Sequence, residues 1–165
     1  SAQWHADETM VKVKGRWMWK WNLMDRQTRL LIASIISENR DIAQARRLFR
    51  KAKALVRTKP DVIVTDGLQV YGDAIRKEFY SNSGRKTEHI VKSGFAGKRS
   101  NSIIERHNGT FKDWYKNRRG LKKVDSPLIE GRDIANNFVH SNQALGGMTA
   151  AEAAGADEHL GDNES

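Results

Sequence analysis

The 165-residue chain carries 29 Lys and Arg against 20 Asp and Glu, a formal charge of +9, and no cysteine. That length suits one domain with its own core, and the missing cysteines exclude disulfides, thiolate zinc sites and thiol catalysis. The basic excess favours nucleic acid over membrane as partner: there is no signal-peptide pattern, no apolar run able to span a bilayer and no long basic amphipathic helix with a continuous apolar face, so a cytoplasmic location is expected.

The first third reads as strands. Gln3–Val13 is extended and Gly15 turns the chain into RWMWKWNLMD, where Trp17, Trp19, Trp21 and Leu23 alternate onto one face suited to core packing under helices. After a turn at Asp25–Thr28 a third strand runs through Thr28–Ser37, so these runs predict an antiparallel meander. Asn39–Asp41 offers a helix start, and Ile42, Ala45, Leu48, Phe49, Ala52 and Leu55 follow at helical spacing before Pro60 closes the segment. DVIVTD, Asp61–Asp66, reads as a strand buried on both faces, and LQVYGDAIRKEF as the helix after it. A polar, Gly-containing stretch follows with one weak strand around His89–Val91. SNSIIERHNGTFKDWYKNRRGLKK, Ser100–Lys123, has its apolar residues on one helical side and otherwise bristles with cations. SPLIEGRDIANNFVHSNQAL predicts a further helix with Pro127 at its start, and TAAEAAG a short last one. The acidic tail 156–165 is expected to be disordered. The order predicts an α/β fold: a mixed five-stranded sheet, three antiparallel strands first, with helices on both faces.

Three acids are out of place. Asp7 interrupts a strand, where an aspartate is disfavoured and costly if buried unpaired. Asp66 ends the buried strand, and ligand sites in α/β sheets lie beyond the carboxyl ends of strands. Glu105 sits in a strongly basic helix, yet Asn101, Ser102, Asn108 and Gly109, its neighbours three and four residues away, offer no cation. Taken singly, each has an ordinary account as edge residue, helix cap or solvated side chain. Together they fit two Mg²⁺ ions, hard cations that bind carboxylates and stabilise the attacking and leaving oxygens of an in-line phosphoryl displacement. The lone carboxylate Glu105 would then lack a lysine because its partner is a metal. The surrounding cations would hold the nucleic-acid backbone. Asp25 competes with Asp7, but sits at a turn where aspartate is commonplace. Glu8 is expected to point to the opposite face from Asp7. His5, His89, His107, His140 and His159 show no paired metal-ligand spacing, and no phosphate-cradling GxxxxGK[ST] occurs.

The stretches WHADET, VTDGLQVYGDAI, NSIIERHNGTFKDWYKNRRGL and NNFVHSNQALGGMTAAEAAG, in this order across nearly the whole chain, resemble the catalytic domain of DDE transposases. That domain has the retroviral-integrase-like RNase H fold, and the closest resemblance is to IS6-type insertion-sequence enzymes, including archaeal versions. The resemblance implies Asp7, Asp66 and Glu105 as a catalytic, metal-binding triad holding two Mg²⁺ or Mn²⁺ ions. It places Lys112, two helical turns beyond Glu105, towards the DNA end, with Arg106, Asn108, Lys116, Arg118 and Arg119 as further DNA contacts. It implies DNA cleavage by water, then strand transfer by the freed 3′-OH, with element ends and target DNA as partners and a homodimer in the synaptic complex. The catalytic core is expected over 1–155, without the family's N-terminal helix-turn-helix region. Two alternatives remain beside strand transfer: a hydrolysis-only RNase H-like nuclease, and a non-catalytic DNA-binding module of transposase descent. The chain departs from the family at Asn108, where histidine is usual, and at His140–Asn142, where R-P-H is usual. Both changes bear on the DNA contacts and leave the triad intact.

Overall fold

A computed structural model describes residues 2–56, 59–80, 86–92, 98–116, 121–124 and 126–155, with the side chains of 98–102 left aside. Arg118, Arg119 and the tail 156–165 lie outside the described residues.

The strands are β1 (Gln3–Val13), β2 (Arg16–Asp25), β3 (Leu31–Ser37), β4 (Val62–Thr65) and β5 (Glu88–Val91). They form one sheet in the order β3-β2-β1-β4-β5. The meander β1–β2–β3 is antiparallel, and β4 and β5 add to β1 in parallel. Between β1 and β2 the chain reverses over Lys14 and Gly15, both at positive φ (49° and 79°), the backbone that a two-residue hairpin turn demands. The expected mixed α/β sheet is present.

Its two faces bury different helices. Alternation along β1 sends Trp4 and Ala6 to the side where Trp21, Leu23, Phe49, Tyr71, Ile75 and Phe79 pack, beneath α1 (Ile42–Leu55) and α2 (Gln69–Phe79). Asp41 starts α1 by accepting a hydrogen bond from the Gln44 N–H. Val11 and Val13 face the other side, against Phe111 of α3 (Lys98–Lys116) and Ile129 of α4 (Pro127–Phe138). Ser126 caps α4 with Pro127 in its first turn, and Thr149 and Glu152 form a reciprocal capping box on α5 (Ala150–Ala153).

Three boundaries differ from the sequence expectation. The described part of the basic helix is Lys98–Lys116, and Leu121, read from sequence within the same helical stretch, instead pairs with Val13 and is 3% exposed in the α3-side core. Its backbone exchanges hydrogen bonds with Lys12 and Lys14, which satisfies polar groups that a helix would otherwise pair. The last long helix stops at Phe138, because the Asn142 side chain accepts from the Ala144 N–H and starts a separate 3-10 turn over Gln143–Leu145. The tryptophan ladder is core only at its inner end: Trp21 is fully buried, Trp19 lies half-buried under Arg40 and Trp17 is 60% exposed.

Candidate active site

The site grows out of a fork in the sheet. Parallel pairing of β1 with β4 ends at His5–Val64, and the strands then diverge. Asp7 lies two residues past that pair on β1, and Asp66 directly follows β4. One carboxylate oxygen from each of Asp7, Glu8 and Asp66 can be chosen so that all three lie within 4.8 Å of one another. The Leu68 N–H donates to Asp66 Oδ1 at 3.1 Å, which fixes that carboxylate at the turn into α2.

Glu8 does leave the strand on the face opposite Asp7, as alternation requires, yet its carboxylate still joins the cluster. Arg40 Nε donates to Glu8 Oε1 at 2.8 Å, and the buried Tyr71 hydroxyl donates to Oε2 at 2.6 Å. Burial, and then the negative charge of Glu8, push the Tyr71 phenol well above its ordinary range, so it stays a donor. Glu8 is therefore neutralised by an arginine and held by a phenol. Among the described residues Asp7 and Asp66 have no such cation, and they are the better-suited pair for a metal.

Asp7 ends a buried chain of hydrogen bonds. Lys20, fully buried on β2, donates to Asn22 Oδ1 at 2.6 Å, to Ser34 Oγ at 2.8 Å and to Asp133 Oδ1 on α4 at 3.2 Å. Asn22 pairs directly with Asp7 in the β1–β2 register, and its Nδ2 donates to Asn108 Oδ1 at 2.7 Å. Asn108 Nδ2 in turn donates to Asp7 Oδ2 at 2.8 Å. An ammonium can only donate, so it fixes which end of each amide faces which way, and the final N–H points at Asp7. Asp7 is thus held in one orientation from the α3 side.

Burial, followed by the charges of Glu8 and Asp66, raises the Asp7 carboxyl from 3.8 to about 7. A divalent cation fits this cluster: the donors are hard oxygens, and an added positive charge relieves the repulsion that raises Asp7. The raised carboxyl has a consequence for stability. Its protonated form favours the folded chain, a contribution present in full below about pH 4 and lost as pH rises through about 7. Without divalent ions, stability should therefore fall across this window for this group's part, by roughly 4 kcal/mol, and the melting temperature with it. Asp7→Asn should flatten that decline, as differential scanning calorimetry at pH 4, 6 and 8 would read.

Glu105 stands apart. It is exposed on α3, one turn before Asn108, and its carboxylate lies outside the 4.8 Å group. No ion pair forms at it among the described residues. Residues three apart share a helix face, so Glu105 overhangs the stripe through which Asn108 reaches Asp7. Of the expected DNA contacts, Lys112 and Lys116 are exposed on α3, and Arg106 lines a pocket on the flank of that helix. Asn108, expected among them, is 5% exposed and spends its amide on Asn22 and Asp7. Arg118 and Arg119 lie outside the described residues. Sequence reasoning missed Lys20 and Asn22, and it set Glu8 aside. The available signal was two polar residues inside the otherwise apolar β2, one of them opposite Asp7.

A family model described as a DDE domain, of the IS240 transposase type, matches residues 1–137. The chain belongs to the DDE transposase family. The DDE family acts on DNA and its integrase-like domains use divalent metals; this chain is a polynucleotidyl transferase or nuclease. No curated protein sequence matches the chain significantly. Among solved structures, the HTLV-2 integrase catalytic core in complex with magnesium (trimeric form) superposes with TM-score 0.66 at 17% identity, covering 92% of this chain and 94% of that one. The BIV integrase catalytic core gives TM-score 0.63 at 13% identity, with 91% of each chain covered. A simian T-cell lymphotropic virus intasome in complex with PP2A regulatory subunit B56 gamma reaches TM-score 0.72 at 15% identity, over 99% of this DDE domain and 57% of that chain. At these identities the likeness establishes the integrase-core, RNase H-like fold. Among the described residues, no helix of the transposase domain is long and apolar enough to cross a membrane.

Proposed function

We propose that this DDE domain cuts the end of a DNA element with water and then joins the freed 3′-OH to target DNA. The convergence of Asp7 and Asp66 at the β1–β4 fork carries the reading. Asp7 and Asp66 hold Mg²⁺ or Mn²⁺, two ions in the full complex, and Glu105 supplies the third carboxylate from α3. Bound there, the ions would stabilise the charge developing on the attacking and leaving oxygens of an in-line displacement. The protein's own part is positioning. Asn108 and Asn22 hold Asp7, Gly67 at φ 108° lets the chain turn after Asp66, and Arg40 with Tyr71 neutralises Glu8. In each step an oxygen–phosphorus bond forms as the opposite phosphorus–oxygen bond breaks, first with water and then with the 3′-OH as nucleophile. No covalent bond to the protein is needed. The exposed cations Lys112 and Lys116 lie along α3 and engage the phosphate backbone. Two copies of the chain bring two element ends together.

The test uses a labelled duplex with a pre-cut 3′-OH end, a target plasmid and Mn²⁺. Joined product is expected, and Glu105→Gln should abolish it with the melting temperature unchanged, since that side chain is exposed. Cleavage without joining would mark a nuclease that only hydrolyses. A fully active Glu105→Gln protein would remove Glu105 from the site.

A further inference from the structure

A second polar site lies on the other flank of α3. A pocket of about 280 Å³ opens between α3, α4 and the turn leading into β3. Arg29, Arg106, His107, Thr110, Arg132 and Asn136 line it, and among the described residues no acidic one does. Elsewhere Arg40 pairs with Glu8, and Arg46 and Arg50 with Glu78, while Arg26 and Arg47 form no ion pair among the described residues. Among the described residues, Arg29, Arg106 and Arg132 form no ion pair. Two lining side chains also hold buried polar atoms with no hydrogen-bond partner, Arg132 Nη1 and His107 Nε2. The His107 residue itself is only 9% exposed. A buried guanidinium N–H without an acceptor is costly, and one rarely persists in a folded chain unless an acceptor arrives. The Arg29 guanidinium is pushed down by burial and then by Arg106 and Arg26, so like charges crowd here without relief.

We infer that this pocket binds one phosphate group of the DNA backbone, through Arg29, Arg106 and Arg132 with His107 Nε2 beside them. A phosphate supplies acceptor oxygens to several donors at once, and guanidinium forks match its geometry. The same helix turns Asn108 towards Asp7 and Arg106 and His107 towards the pocket, so one rigid element would tie the backbone grip to the acidic cluster. The inference rests on DNA being the substrate, as proposed above.

Two measurements on the whole chain test it, both without divalent metal. In the first, sodium phosphate replaces chloride at constant ionic strength and the melting temperature is followed. Phosphate should raise it for the wild type, and for neither Arg29→Gln/Arg106→Gln nor Arg132→Gln. The double variant keeps the test valid if Arg132→Gln fails to fold. In the second, fluorescence anisotropy gives the affinity for a short labelled duplex over a range of salt. The slope of log affinity against log salt should fall by about one for each phosphate contact removed, so by about one if the two arginines share one phosphate. Lys77→Gln, on the exposed side of α2, should leave that slope unchanged. Stabilisation by phosphate with an unaltered DNA slope would overturn the backbone assignment and leave a free-anion site. No effect in either measurement would overturn the site itself. A wild type without any DNA affinity would overturn the substrate reading, whatever phosphate does.

Discussion

Asp66→Asn should lower metal-dependent DNA cleavage and joining by roughly 10³-fold or more, with the fold retained. A bound cation contributes several kcal/mol of transition-state stabilisation, and each 1.4 kcal/mol is about tenfold in rate. Asparagine keeps the volume and the acceptor that the Leu68 N–H uses, so the turn into α2 survives the change. What is lost is the charge at the mouth of the β1–β4 fork. That loss also lowers the negative potential on Asp7, whose raised carboxyl owes part of its shift to Asp66. The variant should therefore be at least as stable as the wild type at pH 8. Circular dichroism and a melting curve separate this outcome from simple unfolding. A variant that keeps wild-type rates while folded would exclude Asp66 from the chemistry.

Lys20→Met should cost about 3–5 kcal/mol of stability, because it removes one partner of a buried charge pair. The ammonium is fully buried, and its loss strands Asn22 Oδ1, Ser34 Oγ and the largely buried Asp133. Removing both charges, as Lys20→Met with Asp133→Leu, should recover most of that stability, since an apolar pair needs no desolvation of ions. Activity should not recover with it. Without the ammonium nothing dictates which end of Asn22 faces Asn108, and the donor at Asp7 loses its fixed direction. Groups that orient metal ligands from behind typically contribute 10–100-fold to affinity or activity. Chemical denaturation and the joining assay, applied to both variants, read the two effects apart. Restored stability together with restored activity would reduce the chain of amides to packing.

Much of the fold was legible because periodicity and turn chemistry agreed. Gly15, the Asp41 cap and Pro127 mark boundaries where the structure has them, and the β-branched run before Asp66 is a parallel strand. Leu121 was not legible as a bridge partner, since its pairing with Val13 depends on a contact distant in sequence. Trp17 and Trp21 share a strand face and a chemistry; only the reach of α1 decides that one is core and the other is not. At the site, Asp7 and Asp66 declared themselves by position in or after a strand. Glu8 did not, because alternation describes a regular strand and the divergence of β1 from β4 lets both faces reach one carboxylate. Lys20 looked like the polar half of an alternating strand. It is buried because α3 and α4 cover the face that alternation alone would leave to solvent. Glu105 was legible as an acid without a cation, and sequence had no means of giving its distance from the other two.

The most direct test is calorimetric titration of Mn²⁺ into the metal-free protein at pH 8, where Asp7 is mainly ionised. Wild type should bind with an affinity that falls steeply towards pH 5, as protons compete for Asp7, and Asp66→Asn should show no comparable binding. Equal Mn²⁺ binding by wild type and Asp66→Asn would contradict a metal centre at the β1–β4 fork.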